Sequence, residues 1–155
     1  MKINFKRLIL FLAITFAVGG LAGLITSNSM ETYDTVIKPQ LAPPPIVFPI
    51  VWAILYALMA IGAYLVSVSK CEDKATALTS FFVQLGINFI WPILFFNIQA
   101  FLVAFVWLVF LWLAIIDMIR KFSVCSKTAA YLQLPYLIWV TFAGYLNLMI
   151  YILNR

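Results

Sequence analysis

Apolar residues in this chain fall in long runs separated by short charged clusters. Lys2, Lys6 and Arg7 precede a run from about Leu8 to Ile25, and a second run from about Ile46 to Ser69 ends at Lys70, Glu72, Asp73 and Lys74. From Ala75 to Ile116 there is no charge at all, which is too long for one helix, and Pro92 with the polar Asn97 and Gln99 places a break near 97–99. Asp117, Arg120, Lys121 and Lys127 mark the next exit, and a last run extends from about Thr128 to Leu153. A bilayer core takes about 20 apolar residues per spanning helix. The pattern therefore predicts five spans, at about 8–25, 46–69, 75–96, 99–119 and 128–153, with one long loop at about 26–45. The first run follows cations as a secretory leader does, but it has no small-x-small cleavage site before a polar segment and reads as an uncleaved span.

Composition supports the same class. The chain is 66% hydrophobic and 10% charged, against about 25% charged in soluble domains, so it lacks the polar groups to cover a water-facing surface. The expected fold is an all-α integral membrane protein, a single bundle of five transmembrane helices over 1–155 with no separate soluble domain. A net charge of +5 would raise the question of nucleic acid in a soluble protein. Here the basic residues cluster at the ends of apolar runs, so no nucleic-acid partner is expected and the charge reads as topology. Eight of the ten Lys and Arg residues lie at the amino terminus, near 70–75 and near 120–127, leaving Lys38 and Arg155 on the other side. The bias places the amino terminus in the cytoplasm and the carboxyl terminus and long loop outside.

Histidine is absent, which removes the commonest metal ligand, haem ligand and general base together; no metal site is expected. Cys71 and Cys125 lack CxxC spacing and are expected to be free thiols facing a reducing cytoplasm. The loop concentrates Pro39, Pro43, Pro44 and Pro45, with Pro49 just inside the next span. Proline rings fix φ and restrict the preceding residue, so a rigid cover is expected.

Polar side chains inside a span face the bundle interior. Gln84, Asn88, Trp91 and Phe95 fall at i, i+4, i+7 and i+11, one face of span three; the two amides serve either as packing glue between helices or as ligand contacts. Trp52 and Tyr56 share a face of span two. Trp139, Ala143 and Asn147 share a face of span five, with Tyr136 adjacent. Trp52, Trp91 and Trp139 each lie near a proline, Pro49, Pro92 and Pro135. These rings are either interfacial anchors or, on three proline-kinked helices, the walls around a flat aromatic guest. Gly19 and Gly23 have GxxxG spacing, which serves a contact within the bundle or a dimer seam.

Three motifs in order, Tyr33…Lys38-Pro39-Gln40-Leu41-Ala42-Pro43-Pro44…Phe48-Pro49-Ile50-Val51-Trp52-Ala53-Ile54-Leu55-Tyr56, Asn88-Phe89-Ile90-Trp91-Pro92 and Pro135-Tyr136-Leu137-Ile138-Trp139…Ala143…Leu146-Asn147, resemble the TspO/MBR family of translocator proteins or peripheral-type benzodiazepine receptors. The resemblance covers nearly the whole chain and points to a bacterial member. It implies a homodimeric five-helix bundle in the plasma membrane that binds porphyrins, and synthetic ligands of the isoquinoline carboxamide or benzodiazepine type, beneath the first loop. The implied ligand-binding residues are Tyr33, Pro43, Trp52, Tyr56, Gln84, Asn88, Trp91, Trp139, Ala143 and Leu146. Among them Trp52 and Asn88 would meet a ligand carbonyl, and Ala143 is a position where bulk alters the response. Leu41 stands where the family has Trp in Lys-Pro-x-Trp-x-Pro-Pro, which removes one aromatic from the lid. The family's sterol-recognition segment is matched only loosely, by Leu148, Tyr151 and Arg155.

The leading functional expectation is a receptor or sensor for protoporphyrin or haem as ligand, with lipid around it, no required cofactor, and propionates met by Lys38 or by backbone donors. It would aid porphyrin transport or disposal. The alternative is an enzyme that degrades porphyrin under light and oxygen, in which Trp139 and Tyr33 would be the catalytic residues. A gradient-driven carrier has little support, because five spans do not divide into inverted repeats and Asp117 lies at a helix end beside Arg120 and Lys121.

Overall fold

A computed structural model describes residues 3–155, and among these every regular element is helical. The elements are α1 (Phe5–Thr26), a short 3-10 turn (Ser27–Ser29), α2 (Glu31–Thr35), α3 (Val47–Val68), α4 (Lys74–Pro92), a π-helical turn (Ile93–Asn97), α5 (Phe101–Cys125), α6 (Lys127–Tyr131) and α7 (Leu134–Leu153). Five stretches are long and apolar enough to cross a membrane: α1, α3, α4 with its π turn, α5, and α6 with α7. Lys2, counted in the charge bias above, lies outside the described residues. α1 begins inside the basic cluster, at Phe5, because the Asn4 side chain caps it by accepting the Arg7 N–H. α5 continues to Cys125, past the expected end near 119, since Lys121 pairs with Asp117 one turn earlier at 2.7 Å on the helix surface.

The helices form a closed ring in the order α1, α3, α6/α7, α5, α4, with α4 returning to α1. The half of the bundle nearest the basic clusters is densely filled. Met59, Phe81, Leu111, Met118, Phe122 and Ala129 are all essentially inaccessible there. On the same face the Asn4 N–H donates to the Tyr64 hydroxyl and Arg7 Nη1 donates to the Ser67 carbonyl, each at 3.0 Å. These bonds fasten the start of α1 to the end of α3.

Two expectations require correction. The three prolines near the tryptophans do not kink three helices. Pro49 is the third residue of α3 and Pro135 the second of α7, positions where a missing N–H costs nothing because it would have no intrahelical acceptor. Only Pro92 lies at the far end of a helix, and there the ladder loosens into the π turn, with Ile98 N–H donating to Ile93 O. The connection then turns at Gln99, which takes the left-handed conformation (φ 57°).

The cysteines are not free thiols either. Cys71, in the link between α3 and α4, and Cys125, the last residue of α5, are joined as a disulfide with Cα atoms 5.1 Å apart. Sequence spacing gave no hint, since the pairing arises where the ring of helices brings two basic-side ends together. Cys125→Ser is expected to lower stability by about 2 kcal/mol, less than the ~4 kcal/mol that closing such a long loop gives a soluble chain, because a bilayer already restricts the unfolded ensemble. Thermal unfolding with and without reductant checks it: reductant should reproduce the variant's shift, and identical curves under all conditions refute it.

The long loop is fastened rather than merely stiff. The Tyr33 hydroxyl donates to Pro43 O (2.9 Å), and the Thr32 hydroxyl to Phe96 O (3.3 Å). Gln99 Nε2 donates to the Thr32 hydroxyl (3.2 Å). Asn154 exchanges two bonds of 2.9 Å with the backbone of Ile37. The loop is thereby tied to the α4–α5 connection and to the end of α7. Leu41, which stands where the resemblance implies a lid tryptophan, is 69% exposed and faces away from the interior.

Candidate functional site

In the half of the bundle under the loop, the helices enclose a cavity of about 350 Å³, within the ordinary range of about 300–1,000 Å³ for ligand pockets. α1 contributes Phe16, Gly19, Gly20 and Gly23, while α3 contributes Pro49, Trp52, Ala53 and Tyr56. Both sets have the spacing i, i+3, i+4, i+7, so each is a single helix face. Asn88, Trp91, Pro92 and Phe96 close the wall from α4 and its π turn, and Phe48 and Met30 close the loop end. Small residues on α1 create the space; a Cβ on Gly20 or Gly23 would meet nothing within 4 Å, whereas one on Gly19 would overlap the Tyr56 ring. Gly19 is thus used within the chain, which is what allows Tyr56 to lie flat against α1.

The wall is almost entirely carbon, and no charged side chain among the described residues lines it. Its polar edge belongs to a buried chain of hydrogen bonds. The Tyr56 hydroxyl donates to Asn88 Oδ1 (3.2 Å), Asn88 Nδ2 donates to the Tyr136 hydroxyl (2.6 Å), and that hydroxyl donates to Gln84 Oε1 (2.7 Å). Every link crosses between helices, joining α3, α4 and α7. Trp91 is held separately: its indole N–H donates to Asn147 Oδ1 (3.1 Å), and Asn147 Nδ2 donates to Phe101 O (2.7 Å). Desolvated networks of this kind specify one arrangement, since every alternative leaves a donor unpaired.

Of the residues singled out in the sequence, Trp52, Tyr56, Asn88 and Trp91 line the cavity. Gln84 does not; it is fully buried behind Tyr136. Tyr33 and Trp139 also lie outside the lining, on opposite partners of one ring: Phe48 has Tyr33 edge-on at 5.1 Å and Trp139 at 5.9 Å between centroids. Pro43 accepts the Tyr33 hydroxyl. Burial, with the Asp34 carboxylate adding to it, pushes the Tyr33 phenol above its ordinary pKa. Lys38 sits over the Tyr33 ring at 4.8 Å, in the loop and not in the cavity wall. Ala143 and Leu146 are buried on α7 outside the lining. The Trp139 indole N–H is buried with no partner among the described residues.

Sequence reasoning left Phe16, Phe48 and Ala53 out of the site and named Tyr136 only as adjacent to a face of span five, not as the hub. The shared face of Phe16 with Gly19, Gly20 and Gly23 was the available signal for the first, because three glycines on one face must leave a hollow wherever no neighbour fills it. Gln133 was missed as well. It sits fully buried at the break between α6 and α7, where its Nε2 donates to Leu58 O and Ala129 O.

Comparison with known proteins adds identity to this geometry. The model of the TspO/MBR family matches residues 11–153. A tryptophan-rich protein TspO of Archaeoglobus fulgidus is 37% identical over 97% of this chain and 99% of its own length. A tryptophan-rich sensory protein of Cereibacter sphaeroides is 32% identical over 95% and 90%, and a translocator protein of Ovis aries 31% identical over 83% and 79%.

Proposed function

The chain belongs to the TspO/MBR family of membrane proteins, and from that premise we propose that it is a receptor for porphyrins and similarly flat, hydrophobic molecules, taken into the cavity between α1, α3 and α4. The observation that carries this reading is the wall itself: two indoles, Trp52 and Trp91, a phenol and one amide set in an otherwise apolar cavity. Aromatic faces give stacking energy of about 0.5–1.5 kcal/mol per ring beyond burial, and the second N–H of Asn88 Nδ2 remains available to a ligand carbonyl. The absence of charge in the wall leaves propionates no partner inside the cavity, so they would project toward the loop, where Lys38 is the nearby cation in the sequence. We place the basic face in the cytoplasm of a bacterial plasma membrane on the charge bias, which exposes the Cys71–Cys125 bond to a reducing compartment. The test is titration of the purified protein with protoporphyrin in the dark, read by tryptophan quenching. Saturable one-site binding supports the receptor, and its absence overturns it.

A second reading, light- and oxygen-dependent porphyrin breakdown, draws on one observation: Trp139 and Tyr33, the two residues that would be oxidised, both pack on Phe48, which does line the cavity. Trp139→Phe preserves the aromatic wall but is harder to oxidise. If the reading holds, this variant binds protoporphyrin within about threefold of the parent, as expected for the loss of less than about 1 kcal/mol of one ring's contact, yet bleaches it at least tenfold more slowly under illumination in air (about 1.4 kcal/mol of barrier). Bleaching at the parental rate refutes the role of the indole.

A further inference from the structure

We propose that the cavity exchanges its ligand with the hydrocarbon of the bilayer, through a side opening between α1 and α3 framed by Gly20, Gly23, Pro49 and Ala53. The inference rests on the binding reading above and adds the route and the class of ligand: a flat molecule delivered from lipid, not from water.

Three observations converge on the opening. All four framing residues line the cavity and are exposed, whereas Ala22, Tyr56, Asn88 and Trp91 of the same lining are buried, as expected where a wall is interrupted. No Cβ built on Gly20 or Gly23 finds a neighbour within 4 Å, which shows that the gap is open space and not a close helix seam. Gly20 lies six residues before the end of α1, about 9 Å along the axis, which puts the gap at hydrocarbon depth. The backbone there is helical and internally bonded, so an opening toward lipid leaves no orphaned peptide groups.

The loop on the aqueous side is tied down by contrast. Passage through the loop requires parting the Tyr33–Pro43, Thr32–Phe96, Gln99–Thr32 and Asn154–Ile37 hydrogen bonds. Passage through the side opening breaks none. A macrocycle already dissolved in lipid, with its propionates at the loop-side interface, moves from one low-dielectric surrounding to another, and only the methylene groups of the acyl chains are displaced.

The test follows protoporphyrin leaving the full-length protein in lipid nanodiscs, with excess empty vesicles as acceptor. Gly20→Leu and Ala53→Leu place branched side chains in the opening, where space is free, and Asn154→Ala releases the loop's tie to α7. If the opening is the route, each leucine variant slows dissociation at least about tenfold, and Asn154→Ala leaves it at the parental rate. This distinguishes a gate from a smaller pocket, because lost pocket contacts would speed dissociation. Dissociation unchanged or faster in both leucine variants, or accelerated by Asn154→Ala, overturns the proposal while leaving the receptor reading intact. A parent protein that binds no protoporphyrin overturns the receptor reading and the route with it.

Discussion

Asn88→Leu is expected to destabilise the ligand-free protein by about 3 kcal/mol and to abolish tight protoporphyrin binding. Among the described residues the amide is the only acceptor of the Tyr56 hydroxyl, and it is a donor to the Tyr136 hydroxyl. Leucine fills the volume but leaves Tyr56 with a buried, unpaired O–H, at about 1–3 kcal/mol for such a group; Tyr136 loses an accepted bond and keeps Gln84. Because the damage is an orphaned donor, removing the donor should repair it. The double variant Tyr56→Phe with Asn88→Leu is expected to recover most of the thermal stability lost in Asn88→Leu and none of the binding. Thermal unfolding in detergent and a dark titration measure the two effects. A double variant less stable than the single would refute the account of the network.

Gly62→Leu is expected to do more damage, at least about 3 kcal/mol, and to leave little folded protein in the membrane. A Cβ at this buried position would overlap Gln133 Nε2 and stand 3.3 Å from Ala129 O. Overpacking a filled core costs about 1–3 kcal/mol by itself. Here the displaced amide also gives up its bonds to Leu58 O and Ala129 O, which hold the break between α6 and α7 against α3. Gly62→Leu combined with Gln133→Ala vacates the space and should restore folding in part, read as the monodisperse fraction after extraction. Wild-type yield of Gly62→Leu alone would show that α6 is free to move away.

What could be read from the sequence follows from which physical signals are local. Charge-free runs bounded by cations report directly on hydrocarbon thickness, so all five spans were visible in composition. The face of Gln84, Asn88, Trp91 and Phe95 was legible because helical periodicity is fixed, and all four are buried. What each of them touches was not legible: Asn88 and Trp91 reach the cavity, while Gln84 lies behind the Tyr136 that α7 inserts and Phe95 packs on Phe96 and Phe101. The prolines misled because a ring's effect depends on its distance from a helix start, a boundary that hydropathy alone leaves uncertain by several residues. The disulfide misled because residues 54 apart in sequence meet only through ring closure of the bundle.

The fastening of α1 to α3 at the basic face gives the molecule the mechanics of a pair of forceps. Asn4 and Arg7 grip Tyr64 and Ser67, and close-packed cores such as the one beside them yield little to load. Beyond Gly19, where α1 still rests on the Tyr56 ring, the far end flanks a hollow, and a Cβ on Gly20 or Gly23 would meet nothing within 4 Å. Thirteen residues separate Arg7 from Gly20, so the arm is about 20 Å long and each degree of splay carries its tip about 0.3 Å. A few degrees about a fixed pivot move the tip by about 1 Å, with both hydrogen bonds at the hinge intact.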